Sequence, residues 1–356
     1  MSVGDTTPAV PSPAGVVRHP LARATMLDVA ALAGVSLKTV SRVVNAEPGV
    51  SEPLRERVRG AVDRLGYRHD LAASSLRRRD RRTATIGILL ENIGDPLSSA
   101  LHRAVEDVAR RRGVVVFAAS SDENAVRERE SIGEFLARRV DGLIIMSASP
   151  DLGYLRPEID AGTALVTVDR PAAFLDVDSV VTDNRLGAAD ATRHLAARGH
   201  RRIAFLGDLG SIWTAAERRA GYRDAIAELG LDADRALLRM GLHDVGAAVA
   251  AVGELLALPD PPTAIFAGQS LITMGTLQAL RAANLTGKVA LVGFDDFPLA
   301  DLLEPAVSVV AQDLERIGAR AAQLLFARMD GDHSPARSEV LPSRLVTRGS
   351  GEIAAA

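Results

Sequence analysis

Residues 26–45 read Met26-Leu-Asp-Val-Ala-Ala-Leu-Ala-Gly-Val-Ser-Leu-Lys-Thr-Val-Ser-Arg-Val-Val-Asn45, and their spacing predicts two short helices joined by a tight turn. Thr25 and Asp28 fit a capping box, with the hydroxyl and the carboxylate each closing one N–H of the first turn. Leu27, Val29, Ala30, Leu32 and Ala33 supply the apolar residues of the first helix. Gly34 suits a left-handed turn, Val35 plugs the small core, and Ser36 can cap the second helix. That helix is expected over about Leu37–Val44, with Val40, Val43 and Val44 turned inward. Leu37, Lys38, Ser41, Arg42 and Asn45 are left on its outer face. A third helix follows, capped by Ser51, with Pro53 in its first turn, where a missing N–H costs little.

Two helices on a tight glycine turn present the second one to the major groove of duplex DNA. Leu37 and Lys38 would lead into the groove, with Arg42 one turn on. An arginine can clamp guanine O6 and N7, and a leucine can meet a thymine methyl. An ordinary helical hairpin has the same local pattern, so the whole stretch must decide. It closely resembles the head of the LacI–GalR family of bacterial transcription regulators, as does the continuation Pro48-Gly-Val-Ser51, Arg55-Glu-Arg-Val58 and Leu65-Gly-Tyr67. The resemblance extends through nearly all of residues 25–350. It implies that Thr25, Ser36, Thr39 and Tyr67 join Leu37, Lys38, Ser41, Arg42 and Asn45 at the DNA.

After the head comes Asp70-Leu-Ala-Ala-Ser-Ser-Leu76, followed by the basic run Arg77-Arg-Arg-Asp-Arg-Arg82. About seven residues make too short a helix to stand alone in water. In the family this segment is the hinge helix that folds on the operator and pairs with its dimer mate in the minor groove. The resemblance assigns Ala73 and Leu76 to that groove, Leu76 as the wedge that kinks the duplex. Arg77 and its neighbours would lie by phosphates, adding affinity that weakens with salt. The family usually has Pro-Asn where this chain has His69-Asp70.

The charge distribution agrees with a polyanion at one end only. The 356 residues carry a net charge of −3, yet residues 1–82 sum to +6 and the remainder to −9. A basic head on an acidic body is the balance expected when one part approaches nucleic acid. There is no cysteine, so disulfides, cysteine-ligated metals and thiol nucleophiles are excluded. No apolar run is long enough for a transmembrane helix, and the proline-broken start does not read as a signal peptide. Phosphate-binding and dinucleotide loops, serine-nucleophile elbows and zinc-protease motifs are lacking. The expectation is a cytoplasmic, nucleoid-associated protein that is not an enzyme and has no cofactor and no metal. A cytoplasmic sugar-binding protein or enzyme without a DNA role is the alternative from a different class.

From residue 84 onward, short β-rich runs alternate with amphipathic helices. Strands are expected at 85–90, 114–118, 142–146, 165–168, 179–182, 203–206, 263–267 and 290–294. The helices between them fall near 97–112, 126–138, 185–198, 214–229, 245–257 and 270–283. This alternation means βαβ units and mostly parallel sheet, and about 270 residues of it call for two lobes. The fold class is therefore an all-α helix-turn-helix head on an α/β body of two Rossmann-like lobes, which the resemblance makes periplasmic-binding-protein-like, type I. Expected boundaries are a disordered leader at 1–24, the head at 25–68 and the hinge at 69–82. One lobe would take 83–182 with about 311–340, the other 183–310 with about 341–350, leaving a tail at 351–356.

Ligands of open parallel sheets bind beyond the C-terminal strand ends. Polar residues gather there: Glu91-Asn92, Ser120 to Asp122, Asp169-Arg170, Asp183-Asn184, Gln269-Ser270 and Asp295-Asp296. Strand-to-helix turns attract Asp, Asn and Ser as caps anyway. The resemblance sharpens the set, because Arg218 aligns with an arginine that commonly grips the effector and Asp295 with a carboxylate that hydrogen-bonds sugar hydroxyls. Asp169, Arg170, Asp183 and Gln269 fall at the cleft loops. Trp213 can stack on a sugar ring or simply pack. Asp95-Pro-Leu97 replaces the frequent Asn-Pro-Phe, so Asp95 is either a cleft residue or a cap before Pro96; with Gln269-Ser270 for Asn-Asp, this suggests a less typical effector. The resulting expectation is a homodimeric regulator, most often a repressor in this family, on a near-palindromic operator, released by a sugar-like metabolite. A corepressor of non-sugar chemistry is the alternative within that class.

Overall fold

The computed structural model describes residues 24–45, 47–68, 82–172, 174–231 and 233–355. The chain divides after Arg81 into an N-terminal unit and a larger C-terminal one. The leader expected at 1–24 falls outside the described residues except for Ala24, and the hinge expected at 69–82 does so except for Arg82. That arginine is bound to the body, with Nη1 donating to Asp330 Oδ1 at 3.1 Å and Nη2 to the Met329 carbonyl, so it is not a free member of the basic run.

The head holds α1 (Met26–Ala33), α2 (Leu37–Val44) and α3 (Glu52–Leu65). Both bonds of the Thr25–Asp28 capping box form. Gly34 takes φ 62°, the left-handed conformation that ends α1 without Cβ strain. Arg57 of α3 then donates to the carbonyl oxygens of Ala33 (2.6 Å) and Gly34 (3.3 Å), satisfying acceptors that the helix end leaves open. Val29, Ala30, Ala33, Val40, Val58 and Ala61 form the core, with Val43 and Val44 half-buried beside them. Two expectations fail in detail. Leu27 and Leu32 are exposed rather than part of the core, because α1 is packed only along its Val29–Ala33 stripe. Ser51 precedes α3 but makes no side-chain capping bond.

The body contains two six-stranded sheets. The first comprises β1 (Thr85–Leu90), β2 (Val115–Ser120), β3 (Gly142–Ile145), β4 (Ala164–Val168), β5 (Asp178–Thr182) and β11 (Ser338–Leu341), in the order β11-β5-β4-β3-β1-β2, all parallel. The second comprises β6 (Ile203–Leu206), β7 (Leu238–Arg239), β8 (Ala264–Ala267), β9 (Ala290–Phe294), β10 (Ser308–Ala311) and β12 (Arg344–Val346), in the order β12-β10-β9-β8-β6-β7. Only β12 runs antiparallel there. The chain crosses between lobes three times: after β5, after β10 and after β11.

Helices α4 (Pro96–Arg111), α5 (Ala125–Ala137), α6 (Arg156–Asp160) and α11 (Leu314–Met329) belong with the first sheet, and α7 (Asn184–Ala197), α8 (Trp213–Glu228), α9 (Val245–Leu256) and α10 (Ser270–Ala282) with the second. Each sheet is covered by an apolar core on both faces, which is why its central strands are continuous hydrophobic runs. Residues 351–355 do not trail from the lobe. His200, buried at the end of α7, donates from Nε2 to the Ile353 carbonyl (2.9 Å), and the Ala355 amide donates to the Arg198 carbonyl. Burial lowers the pKa of the His200 imidazole, against the opposing bond to the Ile353 carbonyl. No helix among the described residues is long and apolar enough to cross a membrane.

Candidate functional site

In the head, the capping chemistry that makes α2 also decides which of its polar side chains are left over. Ser36 Oγ accepts from the Thr39 amide (3.1 Å) and lies 2.9 Å from the Thr39 hydroxyl, so both residues serve the helix start. Thr25 is likewise held by Asp28. Asn45 Nδ2 donates to Ser41 Oγ across one turn (3.3 Å). Leu37 and Lys38 stand exposed at the N-terminal end of α2. Arg42 is half-exposed, with Nε 4.0 Å from a Glu47 oxygen, a separation at which an exposed pair holds it weakly. Tyr67 packs against the core of the head. Ala73, Leu76 and Arg77 lie outside the described residues.

In the body, the ends of β1, β2 and β4 in one lobe and of β6, β8 and β9 in the other carry the polar groups. Four non-glycine residues there adopt left-handed backbone: Asp122 (φ 47°), Glu123 (φ 53°), Asp169 (φ 66°) and Asp295 (φ 70°). Such conformations cost on the order of 1 kcal/mol each and persist where the surroundings enforce them.

The first wall is built on Arg170. Its Nη1 donates to Glu123 Oε2 (2.9 Å) and to the Ser147 carbonyl (2.6 Å), Nη2 to Glu123 Oε1 (2.5 Å), and Nε to Asp169 Oδ2 (3.3 Å). The guanidinium expected to meet a ligand is thus spent on its own lobe. Glu91, one third exposed, reaches Arg170 only at 3.8 Å. Burial, then the neighbouring Glu123 charge, push its carboxyl up to about 8 against the opposing pull of Arg170. Burial also raises Asp169, opposed by Arg170 and Arg218.

The second wall is built on Arg218 of α8 and Asp208 after β6. Arg218 Nε donates to Asn184 Oδ1 (2.7 Å), and its Nη1 to the Gly268 carbonyl (2.8 Å) and Asp295 Oδ2 (3.2 Å). Its plane lies over the Phe294 ring, 3.8 Å from the centroid. Nη2 makes no hydrogen bond among the described residues. Gln312 Nε2 donates to Asp295 Oδ1 (2.6 Å), and the Thr182 hydroxyl donates to Gln312 Oε1 (2.5 Å). Asp208 accepts from His243 Nδ1, from Gln269 Nε2 (both 2.9 Å) and from the Leu209 amide. Burial opposes a charge on His243, but the Asp208 bond and charge prevail and raise its pKa; Glu91 and Glu123 of the other lobe act in the same direction. The two walls therefore feel each other across the cleft.

Three expected residues stand outside this network. Asp95 is the cap of α4, accepting from the Ser98 amide (2.9 Å), although its charge still raises Glu91. Asp183 accepts from the Ser343 amide (2.7 Å) and so ties the first crossover to the third. Trp213 opens α8 and makes no part of these bonds, but it lines a pocket of about 540 Å³ together with Asp183 and with Thr182 and Asn184 of the network. Glu123, Asp208, His243 and Gln312 were not anticipated. Asp208 follows its strand as the other strand-end acids do and was legible; His243 sits in a loop without periodicity, and Gln312 follows β10, a strand absent from the expected set.

Residues 25–70 match the family model for bacterial regulatory proteins of the lacI family, and residues 192–351 match the periplasmic binding protein-like domain. The HTH-type transcriptional regulator GalR of Escherichia coli (strain K12) is 32% identical over 332 residues, covering 92% of this chain and 95% of GalR. A solved complex of the transcriptional regulator CelR with cellobiose shares 31% identity over 92% of this chain and all of that chain, with a TM-score of 0.68. The lac repressor dimer bound to operator shares the fold at a TM-score of 0.81 and 24% identity, covering 93% of this chain and 99% of that one. The chain belongs to the lacI family of bacterial regulatory proteins: it is a DNA-binding transcriptional regulator governed by a small-molecule effector, not an enzyme.

Proposed function

We propose that this regulator is a homodimeric repressor whose effector is a polyhydroxylated metabolite held between the lobes. The observation that carries this reading is the chain of bonds from Arg218 through Asp295 and Gln312 to Thr182. It joins the effector-facing groups to two of the three interlobe crossovers, so a ligand on Arg218 Nη2 and the Asp169 and Asp295 carboxylates would act directly on lobe geometry. A ligand shifts such an equilibrium only by its differential affinity for the two states. The likeness to a regulator solved with cellobiose supports a sugar-like ligand.

At the DNA, Leu37, Lys38 and Arg42 read base edges, with Ser41 and Asn45 beside them and Ser36, Thr39 and Thr25 holding the helix ends. Ala73, Leu76 and Arg77 belong to this proposal through the resemblance alone. Each lobe also exposes an apolar patch, Val115, Phe117 and Val126 on one and Leu299, Leu302 and Leu303 on the other. Contiguous exposed apolar groups mark interaction surfaces, and a two-fold dimer would match a near-palindromic operator. In such a dimer the protein works at the nucleoid, in the cytoplasm.

The test is a thermal-shift screen over neutral and charged sugars, polyols and nucleosides, repeated on Asp295→Ala. The reading predicts stabilisation of the parent by a polyhydroxylated compound and its loss in the variant. A hit that ignores Asp295→Ala would move the effector site elsewhere.

A further inference from the structure

The two apolar patches described above do not include every exposed apolar side chain of the body. Leu186 and Val340 are 53% and 58% exposed, belong to different lobes, and meet in the pocket that Trp213 lines. Val340 of β11 stands beside Val181 of β5 in the sheet register, and with Pro171 they form the side contributed by the first lobe. Leu186 and Ala189 of α7 and Trp213 of α8 form the side contributed by the second. The volume of about 540 Å³ falls in the range of sites for small organic molecules.

The charges around this pocket are largely committed to one another. Arg185 Nε donates to Asp224 Oδ2 (2.6 Å), Arg193 binds Asp190 and Glu228, and Asp183 accepts from the Ser343 amide. The lining holds three carboxylates, Asp183, Glu217 and Asp224, against the guanidiniums of Arg185 and Arg193, so an anion finds no net attraction. Glu217 is partly exposed and can be hydrated, so it calls for no cation. Donors are what remain: the Trp213 indole N–H and the Nη groups of Arg185 make no hydrogen bond among the described residues. A half-buried indole usually finds an acceptor for its N–H. The pocket also shares a wall with the effector network. Asn184, 1% exposed, lines it while its Oδ1 accepts from Arg218 Nε (2.7 Å) and its Nδ2 donates to the Thr182 carbonyl (3.1 Å).

We propose that this pocket is a second ligand site, for a neutral aromatic compound bearing a hydroxyl or carbonyl oxygen, and that its occupancy biases the lobes through the crossover residues 182–184. The site stands on its own geometry, and only its coupling to DNA rests on the interlobe reading above. An aromatic body packs against the indole and the aliphatic side chains, and its oxygen supplies the acceptor that Trp213 and Arg185 lack. Because its two sides belong to different lobes, a change in lobe geometry changes the pocket. Binding there and binding of DNA must then affect each other reciprocally.

Isothermal titration of the full chain with 2-naphthylmethanol, 2-naphthoate and 2-naphthylmethylamine, similar in size and different in charge, tests the class. The alcohol is expected to bind with a Kd below about 1 mM, at least about 5-fold tighter than the acid or the amine. Leu186→Asp and Val340→Asp replace exposed side chains on different lobes, and each should weaken it about 10-fold or more by setting a charge against the ring. Asp295→Ala, in the effector cleft, should leave it within about 3-fold of the parent. Anisotropy on DNA flanking the protein's own gene should show the alcohol changing affinity by at least about 5-fold. The site is overturned if the alcohol does not bind, if the acid or the amine binds as tightly, or if Leu186→Asp and Val340→Asp bind it normally. Loss in Asp295→Ala alone would put the alcohol in the effector cleft, rejecting the second site and retaining the cleft. Binding that needs Leu186 and Val340 but leaves DNA affinity unchanged supports the site and overturns its coupling.

Discussion

In the proposed reading Arg42 is the residue on which base recognition turns, because Lys38 acts as a point charge and Leu37 offers only apolar contact. Replacing Arg42 with Ala is expected to lower operator affinity by about 1–3 kcal/mol while leaving affinity for random DNA nearly unchanged. Fluorescence anisotropy on both DNAs checks this, and equal losses would assign Arg42 to phosphate. Glu91 gives a second prediction at this scale. Its carboxyl is raised to about 8 in the fold but titrates near its ordinary 4.5 when unfolded, so between those values the folded state binds the extra proton. Stability is then complete below pH 4.5 and is lost as pH rises toward 8. His243, also raised, adds a loss of the same sign above its ordinary 6.5. His200, lowered by burial, acts oppositely below its ordinary 6.5, so melting temperatures should fall from about pH 7 to 8, and Glu91→Gln should flatten part of that fall; an unchanged slope would mean Glu91 is ionised throughout. Single residues were unevenly legible. The Thr25–Asp28 box and Gly34 could be read because their partners lie within four positions, whereas the pairing of Arg170 with Glu123 could not, because the two are 47 residues apart.

At the scale of elements, α7 and α8 pack tightly at Gly221, where an added Cβ would lie 2.0 Å from the Arg185 carbonyl oxygen. That contact sets Arg218, one turn earlier, against Asn184. Gly221→Ala is expected to cost about 3 kcal/mol through overpacking. Gly253→Ala, on α9 with open space around its Cβ, should instead stabilise by about 0.5–1 kcal/mol through helix propensity. Chemical denaturation of the two variants checks the pair, and similar effects would refute the close contact. The alternating strands and helices up to residue 294 were legible as periodic runs to within a residue or two, except β7 and α6, which at two and five residues are too short to show a period. Beyond it, β10, β11 and β12 were missed: they are short, and β11 and β12 carry Ser338, Glu339 and Arg344 in place of the continuous apolar runs of β3, β6 and β8. α11 was missed as well, although Leu314, Ile317, Ala321, Leu324 and Leu325 follow a helical period.

At the scale of the molecule, the fold couples its parts through three crossovers, two of which carry the Thr182–Gln312–Asp295 network. The apolar patches predict association. Phe117→Asp with Leu302→Asp should shift the protein from twice 37.5 kDa to 37.5 kDa in light scattering, and an unchanged mass would place the dimer contact elsewhere. Opposite net charges on residues 1–82 and 83–356 fit a single end that meets DNA. The two-lobed architecture was legible from length and alternation, but the ligand's chemistry was not, because it depends on which arginine donors the fold leaves unused.

The most direct measurement is operator binding by the full chain on DNA flanking its own gene, followed by anisotropy as the ligand identified by thermal shift is added. The account predicts specific binding that the ligand changes by at least about 5-fold, the lower end of ordinary allosteric coupling. Asp295→Ala should bind the same DNA equally well and ignore the ligand. Specific binding that the ligand leaves untouched in the parent protein, or a full response in Asp295→Ala, would contradict it.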